Sequence, residues 1–269
     1  MTKNAPRYLT PLFEVETIED IAFAQVTNAQ GQPETLRLDL YQPAGDTLAA
    51  RPAILWFHGG GFRPGNDRRQ RYIPWFAKAF AARGYVCLAP DYRVRADPSP
   101  DMPGTLRDAV ADGRAALEWA RAHGAEYRID ARHIALGGGS AGGMLVLHLV
   151  HDVAQPVDAQ RDGLLAVLDM WGSPAATWRT FPRVNPKSPP TLLVHGTADA
   201  LVPYQGAVDL AAELTAAGVP NHLLTLPDAP HTPMQHMEQT IIPTTARFLG
   251  DLLALRGVDF GVSQVDPHR

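Results

Sequence analysis

The segment HIALGGGSAGGMLVLHLV, residues 133–150, decides how the rest of the chain is read. A short apolar stretch, His133 to Gly137, runs through glycines into a second apolar stretch that starts at Ala141. The small residues on both sides of one serine allow a tight reversal, so the reading is strand, turn, helix. In that setting Gly138-Gly-Ser-Ala-Gly142 is a G-x-S-x-G turn that lifts the Ser140 hydroxyl clear of the sheet. The following helix aims its positive end, beginning with the Ala141 N–H, at any negative charge that develops beside the hydroxyl. A glycine-rich turn of this kind can also bind phosphate, but the G-x-x-x-x-G-K-[ST] pattern of phosphate-binding loops is missing.

Outward from this segment the same beat repeats. Two alternating stretches, Ile21 to Val26 and Thr35 to Tyr41, flank Asn28-Ala-Gln-Gly31 and predict a β-hairpin. Ala53 to His58 and Tyr85 to Pro90 predict buried strands, with a helix over Tyr72 to Arg83 between them and another over Thr105 to His123 after them. His133 to Gly137 is the next strand, with a helix from Ala141 to about Asp152. Leu164 to Met170, Thr191 to His195 and His222 to Leu226 predict further strands, interleaved with helices over Gln205 to Ala217 and Gln235 to Leu255, the last dented at Pro243. A hairpin followed by alternating strands and helices implies an α/β fold with about eight strands, mostly parallel and covered on both faces. No repeat or linker divides the chain, so residues 1–269 are read as one domain, with 1–20 as an N-terminal extension and 257–269 as a loose tail.

In such sheets the reacting groups sit on loops at the carboxyl ends of strands. His58-Gly-Gly-Gly-Phe62 follows the third strand, where glycines let backbone N–H groups turn toward the point that Ala141 N–H faces. A serine hydroxyl needs a histidine to take its proton, and the histidine needs an acid to hold its tautomer. His195-Gly-Thr-Ala-Asp199 puts Asp199 after the seventh strand, and Leu226-Pro-Asp-Ala-Pro-His231 puts His231 after the eighth. The resulting chain order is serine, acid, histidine. Asp228, three residues before His231, and Asp169, at the end of the sixth strand, are rival acids. His195 is read as packing at its strand end, and His148 and His151, beside Asp152, lack an H-E-x-x-H pattern or cysteine pair for a metal. Ser173 and Ser188 lack the turn.

These motifs resemble the α/β-hydrolase esterase/lipase family, in particular hormone-sensitive-lipase-like and feruloyl-esterase-like carboxylesterases. The resemblance covers roughly residues 20–255 and rests on His58 to Phe62, Asp91-Tyr-Arg93, the Asp112 to Trp119 helix before Ile129-Asp130, Gly138 to Gly142, His195 to Asp199, and His231. It implies a serine hydrolase with Ser140, Asp199 and His231 as its triad and an oxyanion hole of Gly59, Gly60 and Ala141. Departures are Gly139, where similar enzymes often carry an acid, and the Pro230 and Thr232-Pro233 flanks of His231. The same residues serve amide or peptide hydrolases of arylformamidase-like or prolyl-oligopeptidase-like type, and such a scaffold can also act as a non-catalytic receptor.

Only the segment Trp171 to Pro190 separates the sixth and seventh strands, so no large cap domain is expected and short-acyl or aryl esters fit better than long-chain triglycerides. Phe62, Trp171 and Trp178 are candidates for the substrate pocket, and Arg63 and Arg179 are cations near it. No metal or organic cofactor is implied. The chain carries 24 Lys+Arg against 28 Asp+Glu, a net charge of −4, so nucleic acid and anionic membrane surfaces are not expected partners. No apolar run approaches the length of a membrane span, and the N-terminus lacks the apolar stretch of a secretory leader, which gives a cytoplasmic expectation. The single cysteine, Cys87, lies in an apolar strand and is read as a core thiol. Composition leaves open a homodimer through the edge strand or the final helix.

Overall fold

The computed structural model of the protein describes residues 6–151, 159, 162–174 and 184–258. The tail beyond residue 258, Asp152, Trp178, Arg179 and the middle of the segment between the sixth and seventh strands lie outside these. The antiparallel start consists of β1 (Val15–Thr27) and β2 (Pro33–Pro43). It is followed by β3 (Arg51–Phe57), α1 (Tyr72–Ala81), β4 (Val86–Pro90), α2 (Met102–Ala122), α3 (Gly124–Tyr127), β5 (Ile129–Gly139) and α4 (Ala141–Val150). The chain closes with β6 (Leu164–Met170), β7 (Thr191–Gly196), α5 (Gln205–Ala216), β8 (Asn221–Leu226) and α6 (Ile242–Leu255).

These strands form one open eight-stranded sheet in the order β1-β2-β4-β3-β5-β6-β7-β8. The pairs β1/β2 and β2/β4 are antiparallel, and from β4 onward every neighbour is parallel. Burial explains the continuous apolar run of β3: Ile54 and Trp56 point to a layer with Phe76 and Phe80 of α1 and Leu249 and Leu253 of α6. Leu55 and Phe57 point to the opposite layer, with Leu117 of α2, Leu145 of α4 and Leu210 of α5. A strand buried on both faces shows no polar alternation.

Three expectations move at their edges. Residues 15–20, expected as extension, are the first half of β1, whose alternation is interrupted by bulges between Ile18 and Ile21 and between Ala22 and Ala24. Helix α2 starts before Thr105, because the Asp101 carboxylate caps it by accepting the Gly104 N–H at 2.9 Å, with Pro103 in the first turn where no N–H is needed. The last helix divides: Met237–Ile241 is a π turn, and α6 begins at Ile242 with Pro243 in its first turn.

The Asp91-Tyr-Arg93 sequence after β4 ties the sheet end to α2 and to the glycine loop. Arg93 grips Asp112 with Nε and Nη2, at 2.9 and 2.7 Å, while its backbone N–H donates to the same carboxylate at 2.8 Å. Between them Tyr92 stacks on His58, ring centroids 4.2 Å apart, and its hydroxyl donates to the His58 carbonyl at 2.8 Å. Removing one member of such a buried pair leaves the other charge uncompensated. Asp112→Ala is therefore expected to lower stability by about 3 kcal/mol in urea unfolding; a midpoint equal to that of the wild type contradicts this role.

Candidate active site

Four loops at the carboxyl ends of β3, β5, β7 and β8 converge. Ser140, between β5 and α4, has φ +56° and ψ −118°, a strained conformation for a residue with a side chain. The turn is locked from both sides: Ser140 N–H donates to the Met170 carbonyl at 2.9 Å, and the Ser140 carbonyl accepts the Met144 N–H at 3.0 Å. Glycine is required two residues on because a Cβ at Gly142 would stand 2.1 Å from the Phe57 carbonyl oxygen, which is backbone and cannot yield.

His231 reaches Ser140 across the sheet end, with Nε2 3.0 Å from Oγ, and its Nδ1 lies 2.7 Å from Asp199 Oδ2. A carboxylate can only accept, so the proton sits on Nδ1, and Nε2 is left to accept from the serine hydroxyl. Asp199 is held in turn: its Oδ1 accepts the N–H groups of Leu201 and Val202, both at 2.9 Å. Burial opposes its charge, but the Val202 N–H, His231 and the Leu201 N–H together hold its carboxyl below the ordinary range. The rival acids are elsewhere. Asp228 is exposed, and its N–H donates to Thr197 Oγ1 at 2.8 Å. Asp169 is buried, with the Gly172 N–H beside its carboxyl.

His195 does more than pack. It is fully buried, and burial pushes its pKa down, so the ring is neutral. Its Nε2 lies 2.9 Å from the Val202 carbonyl and 3.2 Å from Asp199 Oδ2, a second imidazole contact on the same carboxylate. The H-G-x-x-D spacing was the available signal for it. His151 contacts Ser188, with Nδ1 3.3 Å from Oγ.

The glycine loop corrects one expectation. The Gly59 N–H is not available to an oxyanion, because it donates to the Gln70 side-chain oxygen at 2.7 Å. Gln70 comes from eleven residues along the chain, and no pattern in the sequence marked it. Among the described residues the N–H groups of Gly60, Gly61 and Ala141 have no acceptor. The aromatic candidates are also displaced. Phe62 and Trp171 expose 2% and 0% of their surface, too little to wall a pocket. Both have positive φ, and both rings pack inward: Phe62 meets Tyr92 edge-on at 6.0 Å, and Trp171 meets Tyr72 at 5.3 Å. Arg63 pairs with Asp97 at 3.4 Å on the surface.

The chain is similar to known hydrolases. Residues 38–160 match the BD-FAE family, and residues 171–254 match the prolyl oligopeptidase family. The probable carboxylic ester hydrolase LipM of Mycobacterium tuberculosis is 28% identical over 208 residues, 63% of this chain and 46% of that protein. The quorum-quenching protein AidA of Acinetobacter baumannii is 30% identical over 193 residues, 71% of this chain and 57% of its own. The chain thus spans about half the length of these curated relatives. Among solved structures, propionate-bound esterase 2 of Thermogutta terrifontis superposes with a TM-score of 0.68 at 27% identity, covering 92% of this chain and 96% of that one.

The buried Asp169 gives a test of the site's foundations. Burial pushes the Asp169 carboxyl up to about 7, against a weaker opposing pull from the Gly172 N–H. A carboxyl raised above its unfolded value costs nothing when protonated in both states, and it destabilises the fold as pH climbs from about 4 to about 7. Asp169→Asn is expected to gain stability over the wild type across that window, by an amount on the order of a few kcal/mol that levels off above it. A stability difference independent of pH in urea titrations contradicts the buried-acid account.

Proposed function

We propose that this chain, which belongs to the α/β-hydrolase-fold esterase/lipase family, hydrolyses carboxylic esters through an acyl-enzyme on Ser140. The observation that carries the reading is the unbroken chain of contacts from Ser140 Oγ to His231 to Asp199, at 3.0 and 2.7 Å. As Ser140 Oγ bonds to the ester carbonyl carbon, its proton passes to His231 Nε2, and Asp199 stabilises the imidazolium. The carbonyl oxygen becomes an oxyanion, for which Gly60, Gly61 and Ala141 offer N–H groups without other acceptors among the described residues. Collapse breaks the carbon–alkoxide bond, and the alcohol leaves with the proton from His231. Water then gives its proton to His231, attacks the acyl carbon and releases the acid, returning the proton to Ser140.

The substrate class we propose is short-acyl or aryl esters. Two facts support it: only residues 171–190 lie between β6 and β7, and the related Thermogutta esterase 2 has been obtained with propionate and with butyrate bound. The match of residues 171–254 to the prolyl oligopeptidase family makes an amide the competing substrate.

Initial rates on p-nitrophenyl esters from acetate to palmitate, an aryl-acid methyl ester and a matched anilide test the reading. Short or aryl esters are expected to be turned over fastest, and Ser140→Ala is expected to lose roughly a millionfold in kcat. Faster turnover of the anilide overturns ester specificity, and wild-type rates in Ser140→Ala overturn the mechanism.

A further inference from the structure

We infer that Gln70 and Asn66 form a clamp that sets the orientation of the glycine loop, and that they are positioning residues for the oxyanion site; this rests on the serine-hydrolase reading above. The constraint starts at a backbone donor, the Gly59 N–H. An N–H can only donate, so its 2.7 Å contact requires the oxygen of the Gln70 amide to face Gly59. The Gln70 nitrogen must then donate to the Asn66 side-chain oxygen, 2.8 Å away. That in turn aims the Asn66 nitrogen at Gly60, where an added Cβ would stand only 2.7 Å from it. Gly60 has φ +106°, and its carbonyl accepts the Arg63 N–H at 3.1 Å. The Gln70 amide therefore pins the His58–Gly59 peptide and the Asn66 amide fills the space beside the Gly60 Cα, while the Gly59 carbonyl, on the peptide that carries the Gly60 N–H, lies 2.8 Å from His58 Nδ1. The Gly60 N–H is left as an oriented donor with no acceptor among the described residues.

The clamp is mounted on the sheet rather than on the loop it holds. Arg68 lies between its two members. The Arg68 N–H donates to Asp91 Oδ1 at 2.9 Å, and its guanidinium reaches buried Asp39 of β2 at 3.0 Å and Asp91 Oδ2 at 2.5 Å. The Gln70 N–H closes a turn onto the Asp67 carbonyl at 2.9 Å. The held loop abuts the nucleophile, since a Cβ on Gly59 would lie 3.2 Å from Ser140 Cβ. A small rotation of the His58–Gly59 peptide turns the next peptide with it, and thus changes the angle between the Gly60 N–H and the site where Ser140 reacts. It also frees the Gly59 N–H to compete.

Such a role acts on the transition state more than on substrate binding. In Gln70→Met, which keeps length and loses both hydrogen bonds, kcat for p-nitrophenyl butyrate is expected to fall about tenfold with KM within about twofold, less than the loss of a whole oxyanion donor. The rate of Ser140 labelling by a fluorophosphonate should fall in parallel, because it too builds negative charge on an oxygen. Gln70→Glu supplies a readout that a filler residue would not move: the protonated acid keeps an acceptor for Gly59, whereas the ionised one adds charge beside the oxyanion. The ratio of its kcat to wild type should therefore fall as pH rises through the carboxyl titration. This second variant also carries the test if Gln70→Met does not fold. An active wild type with Gln70→Met kcat within twofold of it, or a Gln70→Glu ratio that is flat with pH, overturns the clamp. A wild type that neither turns over esters nor labels at Ser140 overturns the hydrolase reading itself, and the clamp with it.

Discussion

The first turn of α4 lies directly on the backbone ends of β3 and β5, closer than any side chain would allow. Gly142 sits against the Phe57 and His58 carbonyls, and a Cβ on Gly138 would strike the Gly142 carbonyl at 2.4 Å. Glycine at both positions is the condition for this approach. It forces the strained conformation of Ser140 and brings the glycine loop after β3 against the nucleophile. A strained residue persists only where its surroundings over-determine it. Here the Met170 carbonyl, the Met144 N–H and the buried central strands do so.

Around this contact the site is assembled from parts with different degrees of freedom. The serine and the donors are set by backbone, which a rigid sheet positions well. The histidine stands on a loop beyond β8 and depends on Asp199, which depends on two N–H groups of its own loop and on the neighbouring His195. The three glycines of the loop, having no side chains to pack, are held by others: His58 on the Gly59 carbonyl, Gln70 on the Gly59 N–H, Asn66 beside Gly60, with Tyr92 behind His58. Loops that must present bare N–H groups cannot also satisfy them internally, so their stiffness has to come from elsewhere.

That division also governs how much was legible in the sequence. The strand-turn-helix around Ser140, the eight strands and the relation of Asp199 to His231 follow from local patterns and chain order, and the sheet has the expected topology. The oxyanion loop was legible only as a cluster of glycines. Which of its N–H groups is free depends on a glutamine from a different turn, so Gly59 could be assigned wrongly and Gln70 overlooked. Phe62 and Trp171 were placed on the right loops, but whether a ring faces outward or packs inward is not encoded in their identity. The start of α6 shows a similar limit. Helical spacing continued through Met237–Ile241, and only the missing N–H of Pro243 locates the true first turn.

The proposed activity requires Ser140 to be a nucleophile activated by His231. The most direct measurement is peptide mapping by mass spectrometry after treatment of the wild type and His231→Ala with a fluorophosphonate. A single adduct on the peptide containing Ser140 in the wild type, formed far more slowly in His231→Ala, is the predicted result. An adduct on another residue, or equal labelling rates in the two proteins, would contradict it.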